Sequence, residues 1–433
     1  MNSSPNRLAT LAGTALALWL VAAGQAVAAI AGITGPSFSL TAKADYISTA
    51  DGNSVLTWGY GNGAGIMQYP GPTLIVNQGD TVSITLTNAL QVNTSMVFPG
   101  QTGVTTNCGV PGSVAGLMTC EALPAGGTVT YTFTATQPGT YLYHSGTTPS
   151  LQVEMGLVGA LIVRPAAPNQ AYAHPGSAYD REYLLLLTEM DPDIHQQVAQ
   201  GNLNPDMTDY FAVQWFINGR NAMDTMLDDN VPVLPNQPYG AMVLAHPGEK
   251  VLVRLISAGR DLHPFHTHGN NVTVIARDGR LLESAPGVSG PDLGWSDFTI
   301  KAVPGATYDA IFEWTGKHLG WDIYGTTALN PHTCTPDANG FDTTTREWCA
   351  DHDVAIPVTL PNIQDLTVGI NYSGSPYLGT TGFLPPGEGG YNPYSGYFYM
   401  WHSHTEKELT NNDIFPGGMM TMFVVVPPSY PLP

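Results

Sequence analysis

Thr81-Val-Ser-Ile-Thr-Leu86 alternates polar and apolar side chains without interruption. A strand points successive side chains to opposite faces. Val82, Ile84 and Leu86 therefore share one face and the hydroxyl side chains the other, as in a strand buried on one side. Thr73-Leu-Ile-Val76 lies just upstream, and Thr128-Val-Thr-Tyr-Thr-Phe133 and Gly159-Ala-Leu-Ile-Val163 lie downstream. All are short, β-branched and bounded by Gly, Pro or Asn, the punctuation of strands and turns. The pattern continues in Tyr183-Leu-Leu-Leu-Leu187, Gln214-Trp-Phe-Ile217, Lys250-Val-Leu-Val-Arg-Leu-Ile256, Asn271-Val-Thr-Val-Ile275 and Tyr308-Asp-Ala-Ile-Phe312, and no stretch sustains a helical period. With 48 glycines, 35 prolines and 43% hydrophobic residues in 433, the chain has length for two or three domains and apolar content for real cores. The expected fold is all-β, built from tandem Greek-key β-sandwiches.

The first sandwich is expected over about 36–165. A Pro/Ala-rich linker, Arg164-Pro-Ala-Ala-Pro168 to about Ala178, leads to a second over 179–433. That second domain is interrupted at about 315–390 by a Gly/Pro/Thr-rich insertion too long for an ordinary connection, so a lid, an interface element or extra strands. The halves share a faint repeat. Pro138-Gly139-Thr-Tyr141-Leu-Tyr143-His144-Ser145 precedes Gly156 and an apolar strand; Gly396-Tyr397-Phe-Tyr399-Met-Trp401-His402-Ser403-His404 precedes Gly417-Gly418-Met419 and another.

Acidic residues outnumber basic ones 34 to 14, a formal net charge of −20. Such a surface speaks against a nucleic-acid partner and attracts cations without selecting among them. Arg7, an apolar run from about Leu8 to Ala23 and the A-x-A site Ala26-Val27-Ala28 make residues 1–28 a signal peptide; a membrane anchor is the alternative, but the run is short and ends in small residues. The protein is expected to be exported, to a periplasm or the extracellular space. Four cysteines suit an oxidising compartment. They fall into two local pairs, and the disulfides Cys108–Cys120 and Cys334–Cys349 are expected. The second pair also permits a Cys2His2 metal site from His332-Thr-Cys334 and Cys349-Ala-Asp-His352.

Of twelve histidines, five stand in telling places. His263, His266 and His268 fall within six residues, and His402 and His404 repeat the i, i+2 spacing that puts two side chains on one face of a strand. Imidazole suits copper, zinc, iron and nickel, and two His-x-His pairs converging from two strands make a metal site. A lone buried histidine is ordinarily a satisfied core residue, and His174, His195, His246 and His318 read as loop or surface residues.

His263-Pro-Phe-His266-Thr-His268-Gly269 resembles the His-Pro-x-His-x-His-Gly motif of multicopper oxidases. Tyr141-Leu-Tyr-His144-Ser145-Gly146, followed by Gly156-Leu-Val-Gly-Ala-Leu-Ile-Val163, resembles their first-domain His-Ser-His segment, and Trp401-His402-Ser403-His404 their C-terminal His-Cys-His segment. Phe216-Ile-Asn-Gly219 and Ala276-Arg-Asp-Gly279 read like family strand and turn signatures. The likeness spans about residues 70–426 outside the insertion. It implies cupredoxin-like sandwiches, copper as cofactor, and His144, His266, His268, His402 and His404 as ligands, with His263 and Met419 as further candidates.

The departures shape the expected chemistry. A blue copper needs a Cys thiolate with two His and usually an axial Met. Here the Cys position reads Ser403 and the following His position Glu408, so no blue copper is expected. Of the four His-x-His pairs of the family's trinuclear cluster, the first falls on Val97 and Pro99, and the partner of His144 is Gly146. Five of eight ligands remain, which suits one or two coppers. Glu406, Glu408 and Asp413 could ligate metal or relay protons, with a solvated loop the favoured reading. Met400, Met419, Met420 and Met422 are soft enough for Cu(I) but fit core positions better. The resemblance implies an oxidoreductase drawing electrons from a small molecule or a partner protein; a non-catalytic copper carrier or resistance protein and a structural relic are the alternatives. Because family ligands come from two domains, a homotrimer in which neighbouring chains complete the site is also expected.

Overall fold

The structure, a computed structural model, describes residues 30–359, 376–383, 391–392 and 394–432; the expected signal peptide and part of the insertion lie outside the described residues. Among the described residues the first half of the chain forms two facing sheets. The larger runs in the order Ser54–Asn62, Ser37–Ser48, Thr81–Asn88, Gly127–Thr134, Thr105–Thr106, the smaller Ile33–Thr34, Leu74–Asn77, Val158–Arg164, Gly139–His144. In Thr81–Asn88 the alternation is realised: Val82, Ile84 and Leu86 are fully buried, while Ser83 and Thr85 are half-buried. Those three side chains meet Leu74, Val76, Leu161 and Val163 of the opposite sheet in one core. Ser37–Ser48 pairs in parallel with Thr81–Asn88, and Leu74–Asn77 with Val158–Arg164, pairings between strands that no tight hairpin joins.

The second half repeats the plan. One sheet runs Gln214–Ile217, Arg181–Met190, Lys250–Ser257, Thr307–Glu313, Val272–Arg277, Arg280–Leu281, with Trp295–Asp297 also paired to Val272–Arg277. The other runs Val243–Ala245, Met420–Val425, Tyr397–Ser403, His263–Thr267, Thr299–Ala302. Phe312 lies between Trp401 and Phe423, with ring centroids 5.0 and 4.8 Å away, and ties the two sheets together.

The two sandwiches pack on one another. Leu142, Val158 and Ala160 of the first contact Leu186, Ile256 and Ala258 of the second. Beside this seam lies a buried ion network. Arg254 holds Glu182 (3.0 Å) and reaches Asp309 (3.6 Å); Thr140 and Tyr172 donate to Asp309, and Arg164 also pairs with Glu182. Burial pushes the Glu182 carboxyl up, but Arg254 and Arg164 outweigh it and hold the group below its usual range.

The described part of the insertion is mostly irregular backbone. It is stapled by the Cys334–Cys349 disulfide and anchored by Ile323, Tyr324 and Leu378 in the core of the second sandwich. Two sequence expectations are corrected. His195 is not a surface residue: it sits on the short helix Pro192–Ala199 and faces inward, its Nδ1 bonded to the Leu56 carbonyl and its Nε2 to that of Glu154 (3.2 Å). Glu408 is not in a solvated loop but 4% exposed.

Candidate metal centre

Pairing of His263–Thr267 with Tyr397–Ser403 sets His266 directly opposite His402. The i, i+2 spacing then brings His268 and His404 alongside. Ring centroids lie 4.8 Å apart for His266 and His268, 5.5 Å for His266 and His402, 4.9 Å for His266 and His404, and 5.3 Å for His268 and His402. One ring nitrogen each of His266, His268 and His402 lies within 4.8 Å of the others. His402 is buried, whereas His268 and His404 are exposed, so the cluster opens to the surface.

Neighbours set the tautomers. Nδ1 of His402 stands 2.6 Å from the Ser403 carbonyl. A carbonyl only accepts, so Nδ1 carries the proton and Nε2 presents a lone pair. That Nε2 is 3.2 Å from Nε2 of His268. Two ligands about 2.0 Å from a tetrahedral ion stand about 3.3 Å apart, so the spacing fits an ion held between them. Nδ1 of His266 contacts the Thr299 hydroxyl at 2.8 Å, leaving its Nε2 as the free nitrogen. Burial, reinforced by neighbouring imidazoles, lowers the pKa of His266 and His268. The same burial, partly offset by the Ser403 carbonyl, takes His402 down to about 4. These rings are neutral near pH 7, the state a metal needs.

His144 stands outside this group. It ends Gly139–His144, with Nδ1 2.9 Å from the Ser145 carbonyl, and lines a cavity of about 320 Å³ shared with Glu154 and Arg260. Its backbone exchanges hydrogen bonds with Val97 (2.8 and 3.2 Å). A Cβ on Gly146 would meet Val97 Cγ1 at 2.7 Å. The first sandwich therefore offers one imidazole, with no second histidine beside it.

The remaining candidates, His263 and Met419, lie in the interior. His263 is fully buried, its Nδ1 2.9 Å from Glu408 Oε2 and its Nε2 3.0 Å from Glu189 Oε2. Burial alone would lower its pKa, but the two carboxylates outweigh it and raise the group to about 9. The ring is an imidazolium with no lone pair for a metal. Met419 is fully buried in the apolar core of the second sandwich. At the position where a blue-copper ligand set was sought, the chain thus holds a Glu–His–Glu ion triad. All four cysteines are paired, Cys108 with Cys120 and Cys334 with Cys349, so no thiolate exists for a metal, in a blue-copper site or in a Cys2His2 site. Sequence reasoning missed Glu189 and Thr299. The one available signal was a carboxylate closing the apolar run Leu184-Leu-Leu-Leu-Thr-Glu189.

Comparison with known proteins agrees with this architecture. Residues 45–168 match a family model described as multicopper oxidase. Laccase-2 of Botryotinia fuckeliana is 29% identical over 306 residues, covering 66% of this chain and 48% of that protein. Copper resistance protein A of Escherichia coli is 25% identical over 280 residues, covering 57% of this chain and 42% of the relative. The crystal structure of blue copper oxidase from Nitrosomonas europaea superimposes with a TM-score of 0.55 at 20% identity, covering 90% of this chain and 85% of that one. The fold is that of tandem cupredoxin-like β-sandwiches. The first sandwich matches the multicopper oxidase model, and the chain resembles multicopper oxidases in sequence and fold. It spans less than half the length of the two sequence relatives named. The likeness points to copper as the cofactor, and the imidazole cluster fits that ion.

Proposed function

We propose that this chain is an exported, copper-dependent oxidoreductase that works from a reduced, histidine-only copper site without blue copper. The observation that carries the reading is the convergence of His266, His268 and His402 from two paired strands, with lowered pKa values and ligand-like spacing, and His404 beside them. Copper held there would supply one-electron redox chemistry at an open coordination position. The protein's own contribution is to fix ring orientation through Thr299 and the Ser403 carbonyl and to keep the imidazoles unprotonated. With Ser403 in place of a thiolate, electrons enter directly from a small-molecule donor or a partner protein. One or two ions suit the ligand count.

The exposed His268 and His404 leave the site open on one side. A second copy's His144 would complete it in a homotrimer. The absence of histidines at Val97, Pro99 and Gly146 favours one alternative, a structural module without catalysis; a non-catalytic copper carrier or resistance protein is the other.

The test is to load the mature chain with copper, remove the excess, and record bound copper, absorption, electron paramagnetic resonance and donor-dependent oxygen uptake. One or two coppers without an intense blue band, lost on replacing His266, His268, His402 and His404 by Ala, together with oxygen uptake, support the oxidase. Copper without uptake of oxygen leaves the carrier. Absence of stoichiometric copper overturns both and leaves a structural module.

A further inference from the structure

His332 lies two residues before Cys334, and His352 three after Cys349, so the disulfide delivers both rings to one place, their centroids 4.8 Å apart. With the sulfurs bonded to each other, the rings face two carboxylates instead. We propose that Asp322, His332, Glu347 and His352 form a second metal site, a structural zinc site in the insertion, separate from the histidine cluster.

Four donor-bearing side chains converge: one ligand atom from each of the four residues lies within 4.8 Å of the others. His332 Nε2 is 3.3 Å from Asp322 Oδ2 and 3.4 Å from Glu347 Oε2, and His352 Nδ1 is 3.4 Å from Asp322 Oδ2. His352 Nδ1 also makes a 2.8 Å hydrogen bond to Glu347 Oε1, a contact that an ion between them would replace. Ligands about 2.0 Å from a tetrahedral zinc stand about 3.3 Å from one another.

A second observation points to a ligand. His332 Nε2 and Glu347 Oε2 are buried with no hydrogen-bond partner, and Glu347 is 1% exposed. Nδ1 of His332 is 2.7 Å from the Asn330 carbonyl, which only accepts, so Nδ1 carries the proton and Nε2 directs its lone pair at the two carboxylates. Donor atoms that face one another this way are reconciled by a cation between them. Asp322 is pinned from behind: its Oδ1 accepts from the Tyr324 N–H (2.8 Å) and its Oδ2 from the Asp353 N–H (2.7 Å), the outer support that fixes a ligating carboxylate.

The donor set selects the ion class. Two imidazoles with two carboxylates and no thiolate match zinc, whereas calcium and magnesium take oxygen ligands. The two carboxylate charges are balanced by one divalent ion. Four protein ligands leave no open position, so the site is structural. It would cross-link residues 322 to 352 a second time beside the disulfide.

The test uses the full chain, stripped with a chelator, exposed to zinc sulfate alone and desalted. Because the histidine cluster also offers imidazoles to zinc, the decisive background has His266, His268, His402 and His404 all replaced by Ala. There one zinc retained per chain is expected, falling to none when His332→Ala or Glu347→Gln is added, and the same single zinc is lost on making either change in the wild-type chain. Cobalt in place of zinc should give the intense visible bands of a tetrahedral ion, with near-ultraviolet circular dichroism confirming that each variant is folded. Should a variant fail to fold, the wild-type chain still decides. No retained zinc, an octahedral cobalt spectrum, or equal zinc in wild type and His332→Ala would overturn the proposal and leave a pair of imidazoliums balancing the carboxylates.

Discussion

A single hydroxyl sets the direction of a ligand. Thr299 lies on the strand opposite His266 and contacts its Nδ1 at 2.8 Å, so the other nitrogen is aimed at the cluster. Thr299→Val keeps the shape and removes this contact. Copper affinity, measured by competition with a chelator, should fall about 10–100-fold, the usual cost of losing a group that orients a ligand. His402 predicts a second behaviour. Its pKa is about 4 in the folded protein against 6.5 for the free ring. The unfolded chain therefore takes up that proton first, and the metal-free protein should lose stability as pH falls from about 6.5 through about 4. Both His-x-His pairs were legible from spacing alone, because i, i+2 on a strand needs no tertiary information. Thr299, 33 residues from its partner, was not: nothing local in a sequence distinguishes a threonine that meets an imidazole across a ladder from one that meets water.

At the level of elements, strands from distant parts of the chain bring charges together in the interior. Glu189 is the penultimate residue of Arg181–Met190, His263 begins His263–Thr267, and Glu408 sits in the short 3-10 helix Glu406–Leu409, yet the three form one buried ion triad. Removing one partner strands an imidazolium in the core. Glu189→Gln should destabilise the protein by about 3–5 kcal/mol in urea unfolding. His263 binds its proton more tightly folded, at about 9, than unfolded, near 6.5. Its stabilisation, on the order of 3 kcal/mol, is complete below pH 6.5 and disappears as pH rises through about 9. Arg254→Ala, which leaves Asp309 without a cation and Glu182 with Arg164 alone beside the seam between sandwiches, should also cost about 3–5 kcal/mol. The strands themselves were readable from alternation, as Thr81–Asn88 shows. The triad was not, because its members are 74 and 145 residues apart and only the sheet order joins them. For the insertion, the Cys334–Cys349 disulfide and the nearness of His332 to His352 were readable from the local spacing, whereas the carboxylates beside the two rings, Asp322 and Glu347, carry no motif.

For the whole molecule, the two titrations combine. The metal-free protein should have a stability maximum near pH 6.5, declining on the acid side with His402 and on the alkaline side with His263; thermal melts from pH 4 to 9 would check this. A flat profile would contradict the assigned protonation states. Assembly is tested by light scattering with and without copper, a trimer being the expected species. Gly146 faces Val97 so closely that a Cβ there would stand 2.7 Å from a Val97 methyl group. A histidine at position 146 therefore needs the Val97 side chain to move aside. Building a second imidazole beside His144 is a two-residue design problem, in which Val97→Ala clears the room that Gly146→His then occupies.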